Sequence, residues 1–244
     1  ASPRLRRQYL GKGWDLAKVR GCRYNTGTMI EKAIAHGAQA TGHWGGCHAV
    51  PVDYHAPPVG DLKLTDKTSR YSYPFAIMVN KDGHRFIDEG ENTFELTYAA
   101  VGEKIANQRE AIAFQIFDQK VIKTLEPRYS TATPVIDNTL EGLAQKLGVN
   151  VKQFVETVKE YNNAVPKNGK FDPFHLDGLS TGNSLAIPKT NWAQAIDQPP
   201  YVAYVVTCGK CHIPITVHSN TADTEEKASL SPMVGSKQIR MHMS

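Results

Sequence analysis

Residues 208–212 carry the most recognisable ligand pattern in the sequence. They read Cys-Gly-Lys-Cys-His, the arrangement in which two thioether bonds attach a c-type haem and the histidine binds its iron. Met233, Met241 or His218 could supply the sixth ligand. Zinc is another candidate, but a four-ligand zinc site would need both cysteines together with His212 and His218. The N-terminal residues lack the apolar stretch of an export signal, and c-type haem is attached outside the cytosol. Haem is therefore a minor alternative, and no metal site is predicted.

A glycine-rich loop holds a second group of side chains that could contact a ligand. Residues 42–46 read Gly-His-Trp-Gly-Gly, and glycines let a backbone come close to a ligand or to another chain segment. The imidazole of His43 and the indole of Trp44 can hydrogen-bond to a ligand or stack on it. Both residues are therefore predicted to bind substrate.

Composition and charge narrow the class of protein. The 244 residues contain 28 Lys and Arg against 24 Asp and Glu, a net charge of +4, which is too small for a dedicated nucleic-acid-binding protein. The longest apolar runs are far shorter than the ~20 residues of a membrane helix. Four cysteines do not make a disulfide scaffold, so we expect a reducing, cytoplasmic environment. The P-loop, H-E-x-x-H and G-x-S-x-G motifs are absent from the sequence.

Helix signals are clearest in the middle of the sequence. Asn138 is predicted to cap a helix that ends at Gly148, with Glu141 at the capping-box position. Asn150 is predicted to cap the next helix, whose apolar residues repeat with the period of one buried helix face. Helices are also predicted at 29–36, where Gly37 follows as a C-cap, and at 97–107.

Strand signals lie on either side of these helices. An Asp-Gly turn at 81–84 favours a hairpin with strands at 73–80 and 85–88, and alternating residues predict a strand at 201–207. Residues 165–200 read as a long irregular stretch. Residues 73–165 are predicted to form the best-packed unit, and residues 210–244 a weakly ordered tail.

Five segments of the sequence, in this order, resemble the fumarate reductase/succinate dehydrogenase-type FAD flavoproteins, and within them the tricarballylate dehydrogenase-like proteins. The segments are GWDLAKVRGCRYNTG, GAQATGHWGGCHAV, YPFAIMVNKDGHRFIDEG, LAQKLGVNVKQFVETVKEYN and IPKTNWAQAIDQPPYVAYVVTCG. The resemblance implies an α+β fold in which partial FAD-binding-domain segments surround a capping domain. It places a partial FAD-binding segment at 1–72, the capping domain at 73–185, a return strand at 186–209 and a divergent tail at 210–244.

The resemblance also implies roles for individual residues. His48 matches the histidine that binds a substrate carboxylate, and Thr68 matches a hydroxyl of the same catalytic site. The flavin-facing loop matches Asn25, Thr26 and Gly27, so these three are predicted to bind cofactor. Arg70 and Arg85 are predicted to clamp an anionic substrate, with a solvated surface position as the alternative for each. For the acidic pair Asp88 and Glu89, the resemblance implies a structural role at the hinge between the domains.

The sequence departs from the family at several points. It contains no G-x-G-x-x-G, the turn that holds the FAD pyrophosphate. The arginine that donates a proton in fumarate reductases is replaced by Thr93-Phe94. The sequence therefore predicts part of an FAD-dependent oxidoreductase that acts on a small carboxylate by hydride transfer with flavin N5, paired with a missing FAD-binding segment. The alternative is a truncated, inactive cap module with an interaction role.

Overall fold

The computed structural model describes residues 1–212 and 215–218, with side chains described for residues 1–210. Within that part of the chain the helices are α1 (Pro3–Leu10), α2 (Thr28–Ala35), α3 (Phe94–Ala106), α4 (Leu140–Leu147) and α5 (Val151–Ala164). The strands are β1 (Lys18–Val19), β2 (Gln39–Gly42), β3 (His48–Asp53), β4 (Ile77–Asn80), β5 (Ile112–Phe117), β6 (Val135–Asp137), β7 (Tyr201–His212) and β8 (Ile215–His218).

Strand β7 is the centre of the main sheet. It pairs antiparallel with β3, β5 and β6 and parallel with β1, while β4 pairs with the other edge of β5. One end of β7 lies beside β6, where Tyr201 is opposite Asp137, and further along Gly209 is opposite Val50 of β3. Strands β2 and β8 form a separate antiparallel pair. Helices and a mixed sheet in one chain confirm the predicted α+β class.

Helices cover both faces of this sheet. On one face, the predicted apolar stripes of α4 and α5, including Leu143, Phe154 and Tyr161, are buried against β4, β5 and β7. On the other face, Val101 and Ile105 of α3 pack with residues from the same strands. The period-2 alternation of β5 sends its side chains into both cores. The central strands are therefore buried on both sides.

Two helix starts test the capping predictions. Asn150 accepts a hydrogen bond from the Gln153 amide, as predicted. The prediction of Asn138 as the cap of α4 is wrong, because Thr139 takes that position and its hydroxyl accepts from the Gly142 amide. Both residue types are good caps and they are adjacent in the sequence. Gly148 ends α4 in the left-handed conformation, with φ of 65°, as predicted.

The predicted hairpin at 73–88 is only partly present. The turn forms, with the Asn80 amide donating to the His84 carbonyl, but the returning strand is reduced to one bridge between Val79 and Arg85. Strand β4 instead pairs along its length with β5. The buried ion pair between Arg85 and Glu89 takes the chain away from the ladder after that bridge.

Helix α2 and strand β7 both lie where the sequence predicts them. Helix α2 closely matches its predicted range, and β7 extends five residues beyond the predicted strand, to His212. Residues 215–218 form β8, and the rest of the predicted tail lies outside the described residues. In the part of the chain with described structure, no helix combines the length and apolar character needed to cross a bilayer.

Candidate functional site

The site begins with a hydrogen bond between His48 and Tyr98. His48 is the first residue of β3, and its Nε2 lies 2.8 Å from the hydroxyl oxygen of Tyr98 on α3. The two rings meet edge to face, with centroids 5.2 Å apart. Both side chains are half-buried, so the pair is accessible to a small ligand while much of it is shielded from solvent.

Close packing of α3 on β3 places this pair. Gly102 approaches the strand so closely that a Cβ there would lie 2.4 Å from the Val50 amide nitrogen. Tyr98 precedes Gly102 by one helical turn, and His48 precedes Val50 by two strand residues. A helix rises about 6 Å in four residues, and a strand about 6.6 Å in two. The register that brings Gly102 to Val50 therefore brings Tyr98 to His48.

Aromatic rings surround the pair. Tyr71 stacks on Phe94 with centroids 5.2 Å apart and an interplanar angle of 11°, and it also meets Tyr98 at 5.5 Å. The Arg128 guanidinium lies 5.4 Å from the Tyr71 ring centroid. We name Tyr71, Phe94 and Tyr98 the aromatic cluster. Because Phe94 and Tyr98 are four residues apart, they lie on one face of α3.

Arg70 lies in the interior. Its guanidinium pairs with the Asp53 carboxylate at 3.0 Å, and its side chain has no exposed surface. It also donates to the Thr131 hydroxyl and to three backbone carbonyls. The alternative of a solvated surface arginine is therefore wrong, and these contacts give Arg70 a structural role.

Arg85 is buried in a second ion cluster. It pairs with Glu89 at 2.6 Å, with side-chain exposures of 7% and 0%. Burial lowers the pKa of Arg85, but the Glu89 carboxylate outweighs this effect and the net pKa is raised. Glu89 also accepts from the Met78 amide of β4 at 2.7 Å. The solvated alternative is wrong for Arg85 as well.

Lys189 completes this second cluster. It is fully buried and donates to the Pro74 and Ala76 carbonyls at 2.7 and 2.6 Å, with its Nζ 3.9 Å from the Glu89 carboxylate. Burial lowers the Lys189 pKa to about 8, against the opposing effect of Glu89. The cluster therefore joins residues 74–89 to Lys189, far along the chain, in keeping with the structural role expected for the acidic pair.

Thr68 lies in a different part of the surface. It lines a small open cleft between residues 18–20 and the loop that follows β3. Lys18, on the wall of this cleft, donates to the Ala56 carbonyl at 2.5 Å. Burial lowers the Lys18 pKa, with Asp53 opposing the effect. His48 is not among the residues that line this cleft.

His43 and Trp44 face the N-terminal helix. Trp44 donates from its indole to the Thr41 carbonyl at 3.0 Å, and its ring lies 4.6 Å from that of Tyr9. His43 packs over Gly46, where a Cβ would meet the imidazole. The sequence predicts that the glycines let the backbone come close to a ligand or another chain segment. At Gly46 the close contact is with the His43 side chain of the same loop.

Helix α1 contacts the predicted cofactor loop at Gly27, while Asn25 and Thr26 are exposed. Gly27 caps α2 with φ of 87°, and Leu5 occupies the space that a Cβ at Gly27 would fill. The Asn25 carbonyl accepts from the terminal amine of Ala1, and the Thr26 and Thr28 hydroxyls bond to each other at 2.9 Å. With no G-x-G-x-x-G in the sequence, these residues do not make a complete FAD site.

The candidate metal ligands begin in β7. Among the described residues, no group of three His, Cys, Asp or Glu side chains is placed to hold a metal ion. Cys208 is buried in β7. The side chains of Cys211, His212 and His218, and all of Met233 and Met241, lie outside the described residues.

Comparisons with known proteins agree with the fold and the sequence. No protein-family model matches the chain. The probable fumarate reductase Ifc3 of Shewanella frigidimarina is 28% identical over 169 residues, which cover 66% of this chain and 24% of that protein. Over two thirds of its length the chain is thus similar to a fumarate reductase flavoprotein. The predicted resemblance is thereby confirmed, and the narrower tricarballylate dehydrogenase-like branch stays a prediction.

Two solved structures share the fold. A flavocytochrome c3 fumarate reductase in an open conformation matches with a TM-score of 0.62 and 22% identity, over 88% of this chain and 34% of that one. The 3-ketosteroid Δ1-dehydrogenase of Sterolibacterium denitrificans, solved with 1,4-androstadiene-3,17-dione, matches with a TM-score of 0.60 and 24% identity, over 88% and 41%. The chain therefore spans between about a quarter and two fifths of the length of these three proteins.

Proposed function

We propose that this chain forms the substrate-side part of an FAD-dependent oxidoreductase that acts on a small carboxylate-bearing molecule. The observation that carries the proposal is the half-buried His48, held by Tyr98 at 2.8 Å beside the aromatic cluster. An imidazole N–H donates a strong hydrogen bond to a carboxylate, and the aromatic rings cover the carbon skeleton of a substrate. Bound FAD would supply hydride transfer at its N5.

The proposed organisation follows the resemblance. Residues 73–185 act as the capping domain, and residues 1–72 and 186–209 belong to the FAD-binding side. A segment outside these 244 residues holds the FAD pyrophosphate, since they lack the phosphate-binding turn. The roles of this chain's own residues are then to bind the carboxylate through His48 and to exclude water.

The 244 residues alone are expected to bind FAD weakly or not at all. Glycine turns and helix N-termini supply much of the recognition of a dinucleotide, and these 244 residues contain no G-x-G-x-x-G turn. Purified chain incubated with excess FAD should leave a gel-filtration column without the yellow flavin absorbance. Stoichiometric FAD in the protein peak would contradict this expectation.

A chimera tests the function itself. This chain would replace the matching region of the S. frigidimarina relative, whose remaining sequence would supply the rest of the flavoprotein. We expect the chimera to retain FAD and to turn over at least one member of a panel of small unsaturated and saturated carboxylates with a redox dye. A chimera that retains FAD but turns over none of them would favour the inactive cap module.

Within an active chimera, His48→Ala is expected to weaken substrate binding by about 10- to 150-fold. Loss of a hydrogen bond to a charged group costs about 1.5–3 kcal/mol, which corresponds to that range. His84→Ala is the matched control, because His84 is an exposed histidine at the turn after β4. Dissociation constants from flavin difference spectra check the result. Equal affinities in the two variants would remove His48 from the site.

A further inference from the structure

We propose that the cleft lined by Lys18 and Thr68 binds a small oxyanion, a phosphate or carboxylate group, through the Lys18 ammonium. The site is separate from His48, which does not line this cleft. It needs no flavin, so it stands apart from the proposed function. Neither the resemblance nor the relatives assign a role to Lys18. The inference is carried by the fixed walls of the cleft, a half-buried cation without an ion-pair partner, and a hydroxyl placed beside it.

Backbone hydrogen bonds hold the walls of the cleft. Val19 of β1 donates to the Pro58 carbonyl at 3.0 Å and forms a parallel bridge with Val59. The next residue, Arg20, donates to the Lys210 carbonyl of β7 at 3.0 Å. Strand β1 is thereby tied both to the main sheet and to the loop that follows β3. The lining groups therefore hold their positions before a ligand arrives, which lowers the cost of binding.

Lys18 supplies the charge. It is half-buried, and its Nζ donates to the Ala56 carbonyl at 2.5 Å, which leaves two of the three N–H groups of an ammonium for a ligand. Within the part of the chain whose side chains are described, Lys18 forms no ion pair. Asp53, the acid that acts on Lys18 from a distance, is itself paired with Arg70. An anion in the cleft would offset the cost of burying this cation.

Other polar groups of the lining fit the same ligand. The Thr68 hydroxyl is half-buried and has no hydrogen-bond partner among the described residues, so it can donate to an oxyanion. Arg20 is a second cation on the wall. Asp61 also lines the cleft, but its Oδ1 accepts from the amides of Lys63 and Leu64 at 2.7 and 3.3 Å. The acid is therefore turned toward its own loop, and the lining holds two cations against one carboxylate.

The rest of the lining limits the size and strengthens the charge. Val19, Val52 and Val59 are among its apolar members, and a low local dielectric strengthens the attraction between an ammonium and an anion. The cleft is small and open, which suits a group of a few atoms. Phosphate and carboxylate oxygens accept strong hydrogen bonds from an ammonium.

Anion titrations of the 244-residue chain test the site. Inorganic phosphate and acetate would be added to the ¹⁵N-labelled chain, with chloride at equal ionic strength as the reference, and the backbone amides followed by NMR. We expect saturable shifts centred on Val19, Gly60 and Thr68, with half-saturation at millimolar concentrations. A lower dissociation constant for phosphate would identify a phosphate group as the ligand, and a lower one for acetate a carboxylate.

Three variants show which groups hold the anion. Lys18→Met keeps the apolar stem and removes the charge, so affinity should fall by about 10- to 150-fold, the cost of a lost hydrogen bond to a charged group. Thr68→Val removes one hydroxyl, and affinity should fall by about 2- to 10-fold. Lys63→Met is the matched control, because Lys63 is an exposed lysine in the loop after β3, and it should bind as the unmodified chain does.

Two results would overturn the proposal. One is equal dissociation constants for the Lys18→Met and Lys63→Met variants. The other is a response to phosphate and acetate no larger than the response to chloride. Amides outside the cleft should keep their positions in the Lys18→Met spectrum, which shows that the variant is folded. If that variant does not fold, Thr68→Val decides, and unchanged affinity in it would reject the site.

Discussion

Replacing Glu89 with alanine is expected to lower the free energy of unfolding by about 3–5 kcal/mol, the usual cost of removing one partner from a buried ion pair. The variant leaves Arg85 and Lys189 buried without their carboxylate, and it leaves the Met78 amide without its acceptor. Urea denaturation followed by far-ultraviolet circular dichroism measures the change.

Glu91→Ala is the control for this prediction. Glu91 is the same residue type two positions along the chain, but it is exposed, and surface substitutions generally change stability by less than about 0.5 kcal/mol. Similar denaturation midpoints for the two variants would show that the Glu89 cluster contributes little. If the Glu89→Ala protein keeps its overall stability but residues 73–90 become more flexible, the cluster stabilises only that segment.

Gly102→Ala is expected to destabilise the chain by about 3 kcal/mol, at the upper end of the overpacking range, and to separate Tyr98 from His48. The added Cβ would lie 2.4 Å from the Val50 nitrogen, 2.7 Å from the Ala49 carbonyl carbon and 2.8 Å from the Val50 Cα. All three are backbone atoms of a central strand, which cannot rotate away, so α3 must move. Alanine's helix propensity offsets part of the loss, by about 1 kcal/mol.

Thermal denaturation checks the effect of Gly102→Ala on stability. Gly21→Ala is the control, because a Cβ at Gly21 meets nothing within 4 Å. We expect the Gly102 variant to lose stability and the control to keep it. A Gly102→Ala protein of unchanged stability would mean that the approach of α3 to β3 does not fix the register of the pair.

The parts of the fold that the sequence predicts are those with local signals. Helix α5 is predicted by the Asn150 cap and by apolar residues at helical spacing, and the structure contains both. Strands β3 and β5 were not predicted, because what makes them strands is pairing with β7, far along the chain. Non-local pairing leaves little trace in a short window of sequence.

The site was predictable to a smaller extent. His48 came from the resemblance, whereas its partner Tyr98, 50 positions away, did not. The spacing of Phe94 and Tyr98 was a usable signal, but the predicted helix at 97–107 began too late to include Phe94. The alternative of a solvated surface position for Arg70 and Arg85 is wrong, because a charge pattern does not show which charges find a buried partner, such as Asp53 or Glu89.

The position of β7 has a consequence for synthesis of the chain on the ribosome. Strands β1, β3, β5 and β6 are all made before β7, yet each of them pairs with it. Translation adds about 5–20 residues per second, so β3 and β5 wait for seconds with unsatisfied backbone groups on their edges. Such edges are templates for aggregation. A ribosome that stalls before residue 201 would release a chain without the strand that joins its sheet, and such products should depend strongly on chaperones.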